Sequence, residues 1–119
     1  DEKSGGDPVV QRVKKDREAG LLTEANIARA LEKNDHEYVK AVLIELSDLP
    51  SKTVNQMIGT RTAKAMLAIA WKCGFSIKMA IRLQIEIAKV ARNDVMRAGS
   101  DGGYPMSEAD LDWYVESFR

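Results

Sequence analysis

The sequence predicts an all-α chain, and three observations carry that expectation. Apolar residues recur at three- and four-residue spacing in one segment after another, as amphipathic helices require. Residues that cap or stop helices, among them Thr23, Pro50, Gly74, Ser76 and Ser107, fall between those segments. No alternating run of β-branched residues stands between turn signals, so no strand is predicted.

Taken in order, the first seven residues, DEKSGGD, are small and charged and read as a flexible tail ahead of one helical domain, 8–119. Pro8 suits the first position of a helix that carries Val9, Val10 and Val13 and stops near Gly20. Thr23 is the expected N-cap of a second helix with Ile27, Ala28 and Leu31 on one side. Asn34-Asp35 closes it and opens a third, striped by Tyr38, Val42 and Leu46 and halted at Leu49-Pro50. Ser51 is expected to cap a short fourth helix closed by Gly59. Thr60 or Thr62 opens a fifth, with Ala63, Met66, Leu67, Ala70 and Trp71 inward and Gly74 as its stop. Ser76 caps a sixth that is expected to run to Ala91, and Asn93-Asp94 starts a seventh piece holding Val95 and Met96. The stretch from Gly99 to Pro105 is dense in turn formers and reads as a loop, after which Ser107 begins the last helix.

Size and composition bound the function. The chain has 119 residues, 45% apolar and 30% charged, enough for one domain with a real core. Its 18 basic and 18 acidic side chains cancel, which removes bulk charge as a pointer to nucleic acid or an anionic membrane. The single Cys73 excludes an internal disulfide and, with the single His36, a zinc finger. The longest apolar run, Ala65 to Trp71, is far short of the ~20 residues that span a bilayer. No signal-peptide pattern is legible, so a cytoplasmic location is expected.

A shift of 41 residues lays Val42–Ile58 over Leu83–Gly99, matching Ile44 to Ile85, Glu45 to Glu86 and Val54 to Val95. That period falls in the approximate 40–47 range of HEAT and armadillo repeats, whose units cover one another's apolar faces. The expected architecture is therefore HEAT/armadillo-like helical hairpins packed as a compact right-handed array. Within it the sixth helix reads as central, or as covered by another chain: Lys78, Arg82, Glu86 and Lys89 share one narrow stripe and apolar residues fill the rest. Gln84, away from that stripe, reads as a buried amide bonded to a neighbouring helix backbone.

The segments AIAWKCGFSIKMAIRLQIEIAKV and GGYPMSEADLDWYVESF, with LSDLPSKTV before them, resemble an uncharacterised alphaproteobacterial family of HEAT-like helices, a domain of unknown function. The resemblance covers most of residues 25–118 and rests on caps, apolar stripes and a loop. It implies a helical-repeat fold and no assigned activity.

Chemistry-bearing patterns are sparse. Glu32 and His36 stand four apart, but the break at Asn34-Asp35 separates them, and two ligands seldom make a metal site. Cys73 next to Lys72 reads as a core filler, and no phosphate-cradling or nucleophile-elbow motif occurs. No catalytic residue, metal or cofactor is expected. Charge is uneven: Lys52 to Arg97 holds nine basic and two acidic residues, Asp101 to Arg119 five acidic and one basic. The favoured explanation is an acidic last helix folded back over the basic middle and paired with it in cis. Arg12, Lys14, Lys15 and Arg17 read as a solvated face. Trp113 and Tyr114 must point different ways round the last helix, which is expected to cap the array, with a partner site as the alternative.

The function expected is a non-catalytic protein-interaction or adaptor module with an acidic protein partner and self-association through the apolar faces of the central helices. Arg61, Lys64, Lys78, Arg82, Lys89 and Trp113 are the candidate partner-binding residues. The alternative is a DNA-binding regulator built on a helix-turn-helix around Gly74, with Lys78 and Arg82 as its contacts. It is disfavoured because Ile77 and Ile81 would share the face that meets the groove.

Overall fold

Seven α-helices and one short 3₁₀ turn make up the computed structural model, which describes residues 8–119; the expected flexible tail at 1–7 lies outside the described residues. In order these are α1 (Pro8–Glu18), α2 (Glu24–Glu32), α3 (His36–Ser47), α4 (Ser51–Gly59), α5 (Ala63–Lys72), α6 (Ile77–Glu86), the 3₁₀ turn Arg92–Asp94 and α7 (Glu108–Phe118). No strand occurs among the described residues. The Cα radius of gyration, 13.8 Å, is close to the roughly 13.5 Å of a compact chain of this length.

The boundaries follow the expected local chemistry in most places. The hydroxyls of Thr23, Ser76 and Ser107 accept from the N–H groups of Asn26, Met79 and Asp110, satisfying donors the first helical turn leaves free. Gly20 and Gly74 take positive φ values of 73° and 83° where α1 and α5 stop. At the end of α4 the expected glycine is not the turning residue. Gly59 still belongs to the helix, and the left-handed residue is Arg61, at φ 54°. Thr60 makes this possible by returning its hydroxyl to the Met57 carbonyl at 2.7 Å, which extends the helical turn past the glycine. Ser51 is likewise the first helical residue of α4, with Pro50 as its N-cap.

The centre of the fold is α5 and not, as expected, the sixth helix. Ala65, Met66, Leu67, Ala68, Ile69 and Ala70 are all fully buried, and α5 packs on α3, α4, α6 and α7. Its only charges, Lys64 and Lys72, sit near its two ends, so nothing polar interrupts the covered middle. Alanines at four positions, Ala63, Ala65, Ala68 and Ala70, let neighbouring helices approach closely, and each buried Met, Leu or Ile contributes about 1.5–3 kcal/mol. By contrast α6 buries Met79, Ala80, Leu83 and Gln84 and turns Lys78, Ile81, Arg82 and Ile85 outward.

The sixth helix also ends five residues early. After Glu86 the chain unwinds: Ala88 N–H reaches the Leu83 carbonyl, Val90 N–H reaches that of Gln84, and Lys89 is left-handed at φ 56°. Lys89 therefore leaves the stripe it was expected to share with Lys78 and Arg82. The cause is Gln84, whose buried side chain needs two partners. It finds them in the backbone of Met96, accepting its N–H and donating to its carbonyl, both at 2.8 Å. The partner is thus an extended segment, not a helix.

That clamp also breaks the 41-residue correspondence. The starts of α3 and α6 coincide under the shift, but α4 is matched only by the 3₁₀ turn and the extended residues after it. The Met96 N–H, which a second helix would direct to Arg92, is held by Gln84 instead. The loop before α7 is pinned in turn by Tyr104, whose hydroxyl donates to the Phe75 carbonyl at 2.8 Å.

Candidate functional site

The favoured explanation of the uneven charge does not hold. Although α7 packs on α5 and α4, no ion pair joins it to the basic middle of the chain among the described residues. Arg61, Lys64, Lys78 and Lys89 are exposed, and none has an acidic partner within salt-bridge distance among the described residues. Arg82 is different: its Nε donates to Glu86 at 2.9 Å along the same helix. The reason is geometric. The first turn of α7 is capped by Ser107 with its carboxylates pointing to water, and Leu111, Val115 and Tyr114 face α5 instead.

The six candidate residues do not form one cluster. Lys64 and Trp113 line a single shallow groove with Met106, Asp110 and Tyr114. Lys78 and Arg82 line a second groove, between α6 and Glu24, Ala25 and Ala28 of α2. Arg61 stands in the turn that leads into α5, and Lys89 lies beyond the end of α6.

Aromatic side chains divide as the helix geometry demands. Trp113 is 67% exposed, while Tyr114 and Phe118 are half-buried against the core. Trp113 rests edge-on against Tyr114 with ring centroids 6.0 Å apart, which fixes its orientation at the surface. So α7 caps α5, and its tryptophan faces water.

The helix pair around Gly74 has an electrostatic feature that spacing alone does not disclose. Glu24 of α2 reaches the N-terminus of α6, accepting from the Ser76 N–H and the Ser76 hydroxyl, both at 2.7 Å. A carboxylate thus already occupies the helix end that favours negative charge.

On α1 the basic cluster is not simply solvated. Arg12 donates to Asp35 at 2.7 Å and lies 4.1 Å over the Tyr38 ring, and Arg17 donates to Glu45 at 2.9 Å. Lys14 stands 3.9 Å from Glu45, and Lys15 is exposed with no ion pair among the described residues. The Arg12 hydrogen bond holds the Asp35 carboxyl below its usual range. The Tyr38 hydroxyl donates to Asp16 at 2.6 Å, and burial with that bond pushes it up to about 12. These residues rim a hollow between α1, α2 and α3. Sequence reasoning missed it because Asp16 and Tyr38 are far apart in the chain. The opposite signs of α1 and of Asp35 and Glu45 were the only available signal.

Cys73 packs at the core edge, its thiol directed at the Leu43 carbonyl at 3.6 Å, and burial pushes it up to about 12. A thiol held there is poorly suited to act as a nucleophile. Tyr104 is raised for the same reason. Every buried side-chain polar atom among the described residues has a hydrogen-bond partner, and no helix there is long and apolar enough to cross a membrane. Comparisons with protein-family models, with characterised proteins and with solved structures gave no match.

Proposed function

We propose that the protein is a non-catalytic interaction or adaptor module that recognises an acidic protein surface. One observation carries the reading: Arg61, Lys64, Lys78 and Lys89 stand exposed with no acidic partner within salt-bridge distance among the described residues, although the acidic α7 packs on α5. Unpaired surface cations orient and accelerate encounter with a partner of opposite charge, and Trp113 supplies an apolar anchor of the kind found at binding hot spots. The buried polar groups support the same reading, since Gln84, Tyr104 and Cys73 are each spent on backbone partners within the fold. The proposal takes the helices as HEAT-like hairpins of the alphaproteobacterial family that the sequence resembles, acting in the cytoplasm.

The DNA-binding alternative draws less support, because Glu24 sits where a recognition helix would meet phosphate. Fluorescence anisotropy with a labelled acidic amphipathic peptide and with a labelled mixed-sequence duplex separates the two. The proposal expects peptide binding at about 50 mM salt, weakened in Lys64→Glu/Lys78→Glu and at higher salt. Duplex binding with no peptide binding would overturn it.

A further inference from the structure

Two outward helix faces are unlike each other and complementary. On α6 the direction opposite the buried Leu83 is centred on Ile85, 45% exposed, and Lys78, with Ile81 and Arg82 beside them. On α7 the direction opposite Leu111 and Val115 is centred on Trp113, with Ala109, Ser117 and Glu116 beside it and Asp110 and Asp112 at its two edges. One face is therefore an isoleucine pair beside Lys78 and the internally paired Arg82 and Glu86, and the other a tryptophan beside Asp110 and Asp112, with Glu116 paired to Arg119 and Lys64 at the groove edge. Both helices pack on α5 through the sides opposite these faces.

We propose that the acidic partner is a second copy of this chain: the Trp113 face of α7 on one molecule seats on the Ile81–Ile85 face of α6 on the next. This rests on the acidic-partner reading and names its occupant. Charge complementarity selects the pairing, because like faces would set Lys78 against Lys78 or Asp112 against Asp112. The contact is head-to-tail, so each molecule keeps one free face of each kind and the assembly grows as a ring or a chain. A single helix-on-helix contact buries less than the ~1,600 Å² of a standard interface, which makes the association weak and concentration-dependent.

Sedimentation of the whole chain at low salt tests this with two variants, each altered on one face: Lys78→Glu/Ile85→Glu and Asp112→Asn/Trp113→Ala. Wild type is expected to gain mass with concentration and to lose it at high salt. Each variant alone should stay at the mass of one copy. Mixed in equal amounts, they should form a two-copy complex and nothing larger, since each caps the other's intact face. Far-ultraviolet circular dichroism checks that both variants are folded; if either is not, Ile85→Ala and Trp113→Ala are read in the same way, as weakened growth restored on mixing. A wild type that stays at one copy throughout overturns the proposal, as does growth that either variant retains or a loss that mixing does not restore. A single-copy wild type that still binds an unrelated acidic peptide overturns self-recognition and leaves the acidic-partner reading standing. Failure of both overturns both.

Discussion

Gln84 is fully buried, and its amide holds Met96 through two hydrogen bonds of 2.8 Å, one to the N–H and one to the carbonyl. Gln84→Leu keeps the volume and removes both bonds. Each lost bond costs about 0.5–1.5 kcal/mol net, and a buried backbone group left without a partner costs about 1–3 kcal/mol more. Met96 is only half-buried, so water recovers part of the second cost. The expected destabilisation is about 2–4 kcal/mol, or roughly 8–15 °C in Tm for a chain of this size. Urea denaturation followed by circular dichroism gives the free energy, and hydrogen exchange at the Met96 amide should show protection lost there first. Gln84→Glu sharpens the test. A neutral glutamic acid can still accept from the Met96 N–H and donate to its carbonyl, whereas the carboxylate cannot donate. Burial raises the folded-state pKa of that acid above the ordinary ~4.3, so its contribution is present at low pH and lost as pH rises through the raised value. The variant should therefore lie closer to wild type at pH 4 than at pH 8. A Gln84→Leu protein as stable as wild type, with Met96 still protected, would refute the reasoning.

Other substitutions probe separate links. Gly59→Ala falls in α4, where an added Cβ meets nothing within 4 Å, and should stabilise by about 0.5–1 kcal/mol. Gly74→Ala meets no neighbour either but must hold φ 83°, so it should destabilise by about 1–2 kcal/mol; urea midpoints of the two should move in opposite directions. Cys73 in the folded protein should react with a thiol reagent at pH 8 about a thousandfold more slowly than in urea, following its thiolate fraction. A rate equal to that of the unfolded chain would contradict the burial described for it. Asp35→Asn removes a carboxylate whose folded-state pKa is depressed by Arg12. Its contribution is present above the unfolded pKa near 3.9 and lost as pH falls through the folded value. Both side chains are well exposed, so the loss at pH 7 should be at most about 1 kcal/mol, and the gap from wild type should shrink on acidification to pH 2.

Much of the fold was legible because caps and stops are local. Thr23, Ser76, Ser107 and Gly74 act through hydrogen bonds and φ values within a few residues, so their positions in the sequence foretell the helix boundaries. What failed was decided at longer range. Nothing near Lys89 signals a left-handed turn; the turn follows from the demand of Gln84 for a backbone twelve residues on. Periodicity made the sixth helix look central because it counted residues 87–91 as helical. The all-round burial of α5 depends on which four helices surround it, and composition alone ranks it no higher. For the candidate surface, the type of each residue was readable and its pairing was not. Arg12 and Arg17 looked as free as Lys64 and Lys78, and only the register of α1 against α3 separates the paired cations from the unpaired ones.

Cations left unpaired at the surface are the central feature of the molecule, and an isotope-labelled sample titrated with an acidic amphipathic peptide tests their role directly. Two-dimensional amide spectra at low salt should show shifts centred on Arg61, Lys64, Lys78 and Lys89 and on the Trp113 indole, with α1 and α3 unmoved. Spectra that do not change, or shifts confined to the hollow around Arg12 and Tyr38, would contradict it.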